Sequence, residues 1–119
     1  MSESVADAPE MTEAEAVVQA QIKAYNSHDL ESFLAFYAEA VQIYDGNAVL
    51  LRDGREALRE EYTKRFARTE LNVELLGRLT VGEWVYDKEI VTGVKERPVV
   101  SMTAYRVRNG LIDTVRMHK

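Results

Sequence analysis

The sequence contains no cysteine, which excludes disulfide bonds, thiolate catalysis and cysteine-ligated zinc. Histidine is scarce as well, because only His28 and His118 are present and they are not at metal-ligand spacing. No phosphate-cradling glycine loop or nucleotide-binding fingerprint is found. We therefore expect neither a metal nor a cofactor.

Long apolar runs and a basic excess are also missing. The uncharged apolar stretches last only a few residues, far short of the roughly 20 that a membrane helix needs. Residues 1–10 lack the basic start and apolar middle of a secretion signal. The formal charge of −5 argues against nucleic acid. We expect no nucleic-acid or membrane partner and, by default, a cytoplasmic location.

The composition is that of an ordinary globular chain. Its 119 residues, 46% hydrophobic and 29% charged, fit one domain. Residues 1–11 are polar and without period, which predicts a flexible tail. Thr12 followed by Glu15 is a capping box, and it predicts that a single domain, 12–119, begins with a helix.

Changes of hydrophobic period predict the elements. Three helical faces alternate with two-residue periods and turn signals, which predicts the order ααββαββββ. The expected inward stripes of the helices are Val17, Val18, Gln21, Ile22 and Tyr25; Leu30, Phe33, Leu34 and Tyr37; and Leu58, Tyr62, Arg65 and Phe66. Asn109-Gly110 is the strongest hairpin signal.

These elements predict an α+β fold, with a cone-shaped, curled, mostly antiparallel sheet packed against three helices. Long strands accumulate twist and curl. Three helices cannot fill the hollow of such a sheet, so a small-molecule pocket is expected at the junction.

Two segments carry a family resemblance. With the element order, YNSHDLESFLAFYAEAVQIYDG and YRVRNGLIDTVRMHK resemble the cystatin-like, nuclear transport factor 2-like superfamily. The nearest branch is SnoaL-like, which includes ketosteroid isomerases and polyketide cyclases. The resemblance implies a homodimer through the outer face of the sheet.

Asp45, in VQIYDG, falls on the position of the isomerase general base. It follows Val41 and Ile43 on an apolar strand face, where a buried carboxylate could act as a base. The alternative is that Asp45 only begins its Asp-Gly-Asn turn. Two partners of the base are replaced, because Gln21 stands at the position of the oxyanion-hole tyrosine and Ala104 at that of the oxyanion-hole aspartic acid.

Two further strands carry candidate groups. Asp87 and Glu89 share one strand face, which either lines the hollow or is solvated. On the last strand, Thr114, Arg116 and His118 share a face. Matching that strand to the isomerase pattern turns this face towards the pocket, where Arg116 could bind a carboxylate or enolate and His118 could transfer protons. The alternative there is a frayed terminus. Tyr25 and Met102 are predicted pocket walls or core residues.

Two functions follow from these candidates. The first is a cofactor-independent isomerase, cyclase or hydro-lyase that uses Asp45 on a small apolar carbonyl compound. The second is a non-catalytic module that binds a ligand or only dimerises. The sequence leaves both open.

Overall fold

The computed structural model describes residues 11–119, and all of the predicted tail except its last residue lies outside them. The helices are α1 (Glu13–Asn26), α2 (Leu30–Leu34) and α3 (Arg55–Arg65). The strands are β1 (Tyr37–Asp45), β2 (Leu50–Asp53), β3 (Asn72–Val81), β4 (Trp84–Thr92), β5 (Val99–Arg108) and β6 (Leu111–His118). The α+β class and the order ααββαββββ are confirmed. In the described part of the chain, no helix has the length and apolarity needed to cross a membrane.

All six strands form one curled sheet in the order β2-β1-β6-β5-β4-β3. The pairs are antiparallel except β1 with β6, which run parallel. The helices cover one face, and the buried core lies between the helices and that inner face. Because β1 pairs with β6, the first and the last strand of the chain lie side by side in the sheet.

The capping box at Thr12 begins α1 as predicted. Thr12 Oγ1 accepts a hydrogen bond from the Glu15 N–H at 3.1 Å, and Glu15 Oε1 accepts one from the Thr12 N–H at 2.9 Å. The side chains of Val18, Gln21 and Tyr25 are buried on the inner face of this helix. This face forms one wall of the interior.

Tyr37 is the main correction to the predicted elements, because it was expected on the second helix. That helix is capped by Asp29 and ends at Leu34. The chain then joins the sheet: the Ile112 N–H donates to the Phe36 carbonyl at 2.8 Å, and Tyr37 opens β1. The apolar period of α2 would extend the helix to Tyr37, but strand pairing with β6 determines the conformation here. The Tyr37 side chain is still buried in the core.

Two irregularities decide which side chains face inward. The register of β3 against β4 shifts between Leu75 and Gly77. On β6, Val107 pairs with Ile112 but Arg106 pairs with Thr114, which leaves one extra residue, Asp113. One extra residue exchanges the faces of everything that follows it.

Candidate functional site

A cavity of about 310 Å³ lies between the helices and the inner face of the sheet. Its walls are mainly apolar, with a few polar groups on β4, β5 and α1. The aromatic lining residues are Tyr25, Phe33, Tyr37, Tyr62 and Tyr105, the aliphatic ones include Ile22, Ile43, Leu58, Val73, Val91 and Val115, and the buried polar ones are Gln21, Glu89, Ser101 and Thr103. An apolar cavity with a few convergent polar groups is the usual form of a small-molecule site.

Glu89 is the central polar group of this cavity. It lies on the inner face of β4 and is only 4% exposed. Tyr105, on β5, donates a hydrogen bond from its hydroxyl to Glu89 Oε2 at 2.9 Å. Thr103 Oγ1 donates to Glu89 Oε1 at 3.2 Å. Antiparallel pairing of β4 with β5 brings these three side chains to one face.

The surroundings of Glu89 bring the pKa of its carboxyl group close to neutral pH. Burial raises its pKa to about 7, and the negative charge of Asp87 acts in the same direction. The hydrogen bonds from Tyr105 and Thr103 and the charge of Arg78 oppose that rise in pKa. The carboxyl group is therefore present in both protonation states near neutral pH, as a general acid–base group requires.

Asp87 shares the inner face with Glu89 but plays a different part. It is completely buried, and Arg78 holds it with a fork of two hydrogen bonds, from Nε at 2.7 Å and from Nη2 at 2.8 Å. Arg78 Nη1 also donates to Gln19 Oε1 at 3.1 Å. Asp87 is not among the lining residues of the cavity. Its charge is therefore paired within the protein wall.

Gln21 and Tyr37 form a second polar pair in the cavity. The Tyr37 hydroxyl donates to Gln21 Oε1 at 2.9 Å. Burial raises the pKa of Tyr37 well above its ordinary value, so the phenol stays neutral. Because the Gln21 carbonyl oxygen is the acceptor here, its amide nitrogen is the group that can donate to a ligand.

The exposed lining residues mark the opening of the cavity: Leu51, Arg52, Lys95 and Lys119. Slightly deeper, Arg65 lies 4.7 Å from the centroid of the Tyr62 ring and donates to the Tyr62 hydroxyl at 3.3 Å. Glu61 accepts from Arg65 Nη2 at 2.6 Å and pairs with Arg52 Nε at 3.0 Å. The opening is thus predominantly basic.

Asp45 lies outside this cavity. Its Oδ1 accepts hydrogen bonds from the backbone N–H groups of Asn47, at 2.8 Å, and Val49, at 3.0 Å, within its own turn. It borders a shallow surface depression that also includes His118. Asp45 therefore begins its own turn, as the alternative interpretation predicted. It does not line the cavity, so it is not placed to act on a molecule bound there.

Four other predicted site residues lie on or towards the outer face of the sheet. Ala104 pairs with Arg116, and Met102 pairs with His118. Met102 is 41% exposed, and Arg116 donates to the Gly46 carbonyl at 2.7 Å. The predicted placement of these four residues in the pocket is corrected. On β6, the extra residue Asp113 turns Val115 and Met117 inward instead of Arg116 and His118. On β5, Met102 and Ala104 alternate with the lining residues Thr103 and Tyr105 and therefore face the other way.

Of the predicted pocket residues, Gln21, Tyr25 and Glu89 line the cavity. The sequence analysis did not identify Tyr105 and Thr103 as hydrogen-bond partners of Glu89. The alternation of Ser101, Thr103 and Tyr105 was the available signal, but it becomes informative only when β5 is aligned with Glu89. Among residues 11–119, no cluster of three or more histidine, aspartate or glutamate side chains is arranged to hold a metal ion.

This combination of a helix-covered curled sheet and a cavity between its layers defines a class of pocket-containing α+β proteins. The chain belongs to the SnoaL-like domain family, whose model matches residues 18–115. This confirms the resemblance to the SnoaL-like branch of the nuclear transport factor 2-like superfamily. A comparison with curated proteins finds no match.

Solved structures share the fold at low sequence identity. An uncharacterized cystatin fold protein from Novosphingobium aromaticivorans is 20% identical, with a TM-score of 0.81 over 92% of this chain and 100% of that chain. A computationally designed 17-OHP binder is 17% identical, with a TM-score of 0.79 over 92% of each chain. A hypothetical protein with a ketosteroid isomerase-like fold from Catenulispora acidiphila, in complex with trimethylamine, is 17% identical, with a TM-score of 0.69 over 87% of this chain and 84% of that chain.

Proposed function

We propose that the cavity binds a small, largely apolar molecule and that Glu89 exchanges a proton with it. The observation that carries the proposal is a buried carboxyl group with a pKa of about 7 on the wall of a cavity of about 310 Å³. The volume lies at the small end of the usual range of ligand pockets, about 300–1,000 Å³. Glu89 takes over the acid–base role that the sequence assigned to Asp45.

A carbonyl compound suits this site. Ionised Glu89 would remove a proton from the carbon next to the carbonyl; the C–H bond breaks and its electron pair forms an enolate. The protonated Glu89 then returns the proton to another atom. Isomerisation, aldol-type cyclisation and loss of water can all begin in this way. The Gln21 amide and the Tyr62 hydroxyl, which accepts from Arg65, are donors for the enolate oxygen.

Proton transfer can be tested without the natural substrate. Cyclohexanone in D₂O exchanges the hydrogens next to its carbonyl for deuterium, and NMR measures the rate. We expect the protein to accelerate this exchange and Glu89→Gln to lower the acceleration about 10²-fold or more, the usual contribution of a general base. Circular dichroism checks that the variant is folded.

Asp45→Asn is the matched control, because it neutralises the other candidate carboxyl group. We expect this variant to keep the exchange activity. Loss of activity in Asp45→Asn together with full activity in Glu89→Gln would overturn the assignment to Glu89.

Ligand binding without catalysis is the second candidate function. It is favoured by the hydrogen bonds within the cavity, from Tyr37 to Gln21 and from Tyr105 to Glu89, because these polar groups already have partners in the protein. Among solved proteins of this fold, one is a computationally designed 17-OHP binder and another is in complex with trimethylamine. NMR shifts of the lining residues with cyclohexanone, without faster exchange, would support this function over catalysis.

We also propose that the outer face of the sheet forms a homodimer. This face exposes Leu79 (72%), Val81 (71%) and Met102 (41%). Light scattering should give twice the single-chain mass of 13.5 kDa. Leu79→Glu should shift that mass towards the monomer, while Leu51→Glu, at the cavity opening, should not. The cytoplasmic location stays a prediction.

A further inference from the structure

We infer that the ligand of the cavity is a small organic acid whose carboxylate lies at the basic opening while its apolar body enters the interior. This inference rests on the proposed function, since it assigns a ligand class to the same cavity. Its basis is the distribution of charge in the cavity. The opening is basic and the deep end is acidic, whereas the protein as a whole is acidic.

The opening is basic although the protein is acidic. Four cationic side chains line the cavity, against the acids Glu61 and Glu89, whereas the whole chain carries a formal charge of −5. They are Arg52, Arg65, Lys95 and Lys119. A local field of sign opposite to the overall charge attracts an anion to this place on the surface.

Within residues 11–119, the two arginines are tied in place by Glu61, which contacts both. Two guanidinium groups around one carboxylate leave a net positive charge. Arg65 is further held against the ring of Tyr62. Guanidinium groups fixed in this way present their remaining N–H donors in a defined geometry, which suits a carboxylate.

The deep end of the cavity rejects the same anion. Glu89 is buried there and is negative when ionised, whereas Asp87, beside it on β4, is paired with Arg78. A second carboxylate at this end would meet like charge in a poorly solvated place. The walls between the two ends are aromatic and aliphatic. Together these features fix one orientation, with the charged group outside and the reacting part of the molecule against Glu89.

A series of ligands with one chain and different head groups tests this directly. Octanoate, 1-octanol and octylammonium share an octyl chain, and isothermal titration calorimetry measures their affinity for the intact protein. We expect octanoate to bind about tenfold more tightly than 1-octanol and octylammonium to bind most weakly. Added NaCl should weaken the binding of octanoate and leave that of 1-octanol unchanged.

Charge-matched variants locate the effect. Lys95→Gln should weaken octanoate about two- to fivefold, a size typical of one exposed charge pair, and Arg52→Gln combined with Lys95→Gln should weaken it further. The controls are Lys88→Gln and the double variant Lys23→Gln with Lys88→Gln, which remove the same charges from exposed sites away from the opening. Neither control should change octanoate binding.

The inference is overturned if octanoate fails to bind, if 1-octanol or octylammonium binds as tightly, or if Lys95→Gln behaves like Lys88→Gln. The proposed proton transfer has a separate readout, the exchange activity of Glu89→Gln. Exchange that depends on Glu89, without a preference for octanoate, would remove only the ligand class. A preference for octanoate, with full exchange in Glu89→Gln, would remove only the acid–base role.

Discussion

The Tyr105 hydroxyl and Glu89 Oε2 are joined by a 2.9 Å hydrogen bond between neighbouring strands inside the cavity. Burial raises the pKa of Tyr105 well above its ordinary value, so the phenol keeps its proton and acts as the donor. A donor to a carboxylate favours the ionised form of that carboxylate. Tyr105 therefore restrains the effect of burial on Glu89 and brings its pKa back towards neutrality.

Removal of the Tyr105 hydroxyl should raise the pKa of Glu89. For Tyr105→Phe we expect a rise of about one unit, because a hydrogen bond to a charged group contributes about 1.5–3 kcal/mol and one pKa unit corresponds to about 1.4 kcal/mol. NMR titration of the Glu89 carboxyl carbon measures the change. Tyr86→Phe, on the exposed outer face, is the control. An unchanged or lower pKa in Tyr105→Phe would contradict this reading of the bond.

The stability of the protein should fall as pH rises through the range in which Glu89 titrates. The pKa of Glu89 is about 7 in the folded protein against an ordinary value of 4.5, so the folded state binds more protons between these two values. Stability is therefore lost from about pH 4.5 to pH 7, by about 3 kcal/mol.

Glu89→Gln removes this proton uptake. Its stability relative to the wild type should rise between pH 5 and pH 8, as measured by urea unfolding at a series of pH values. Glu74→Gln, an exposed carboxyl group on β3, should show no such trend relative to the wild type. A constant difference between Glu89→Gln and the wild type would mean that Glu89 titrates alike in the folded and unfolded states.

Local patterns were sufficient to predict the elements of the fold. Asn109 and Gly110 adopt φ values of 53° and 74°, as a tight two-residue hairpin requires, and they join β5 to β6 as predicted. Thr12 and Glu15 likewise act within four residues of chain. Tyr37 was misplaced because its partner on β6, Ile112, lies 75 residues away, and no local period reports such pairing.

The site depended on information of longer range. Alternation placed Asp87 and Glu89 on one face, but only the pairing with β5 decides that this face is buried. The extra residue Asp113 reversed the faces of β6, so Arg116 moved outward; a two-residue hairpin without it would have turned Arg116 inward. The sequence around Asp45 was compatible with both a turn residue and a buried base, and only the folded structure distinguishes the two.

Gly93 should be the glycine that tolerates substitution least. Its φ is 89°, and a Cβ added there would lie 2.7 Å from backbone atoms of Glu70 and Leu71. Neither contact can be relieved by rotating a side chain, and the left-handed conformation adds a cost of its own, so Gly93→Ala should lose at least about 2 kcal/mol. Gly77→Ala meets nothing within 4 Å and should change stability little. Equal urea midpoints for the two variants would contradict this prediction.

The pair of Arg78 and Asp87 should be far more sensitive to mutation than the surface ion pairs. Arg78→Met leaves Asp87, which is completely buried, without its partner. Breaking a buried pair in this way costs about 3–5 kcal/mol.

Arg108→Met provides the comparison, because it breaks a half-exposed pair with Glu83, and it should lower the free energy of unfolding much less. Asp87→Leu added to Arg78→Met should restore part of the stability, because no buried charge then remains unpaired. Urea unfolding at pH 7 measures all three proteins. If Arg78→Met loses no more stability than Arg108→Met, the buried fork holds the wall of the cavity no more firmly than a surface contact would.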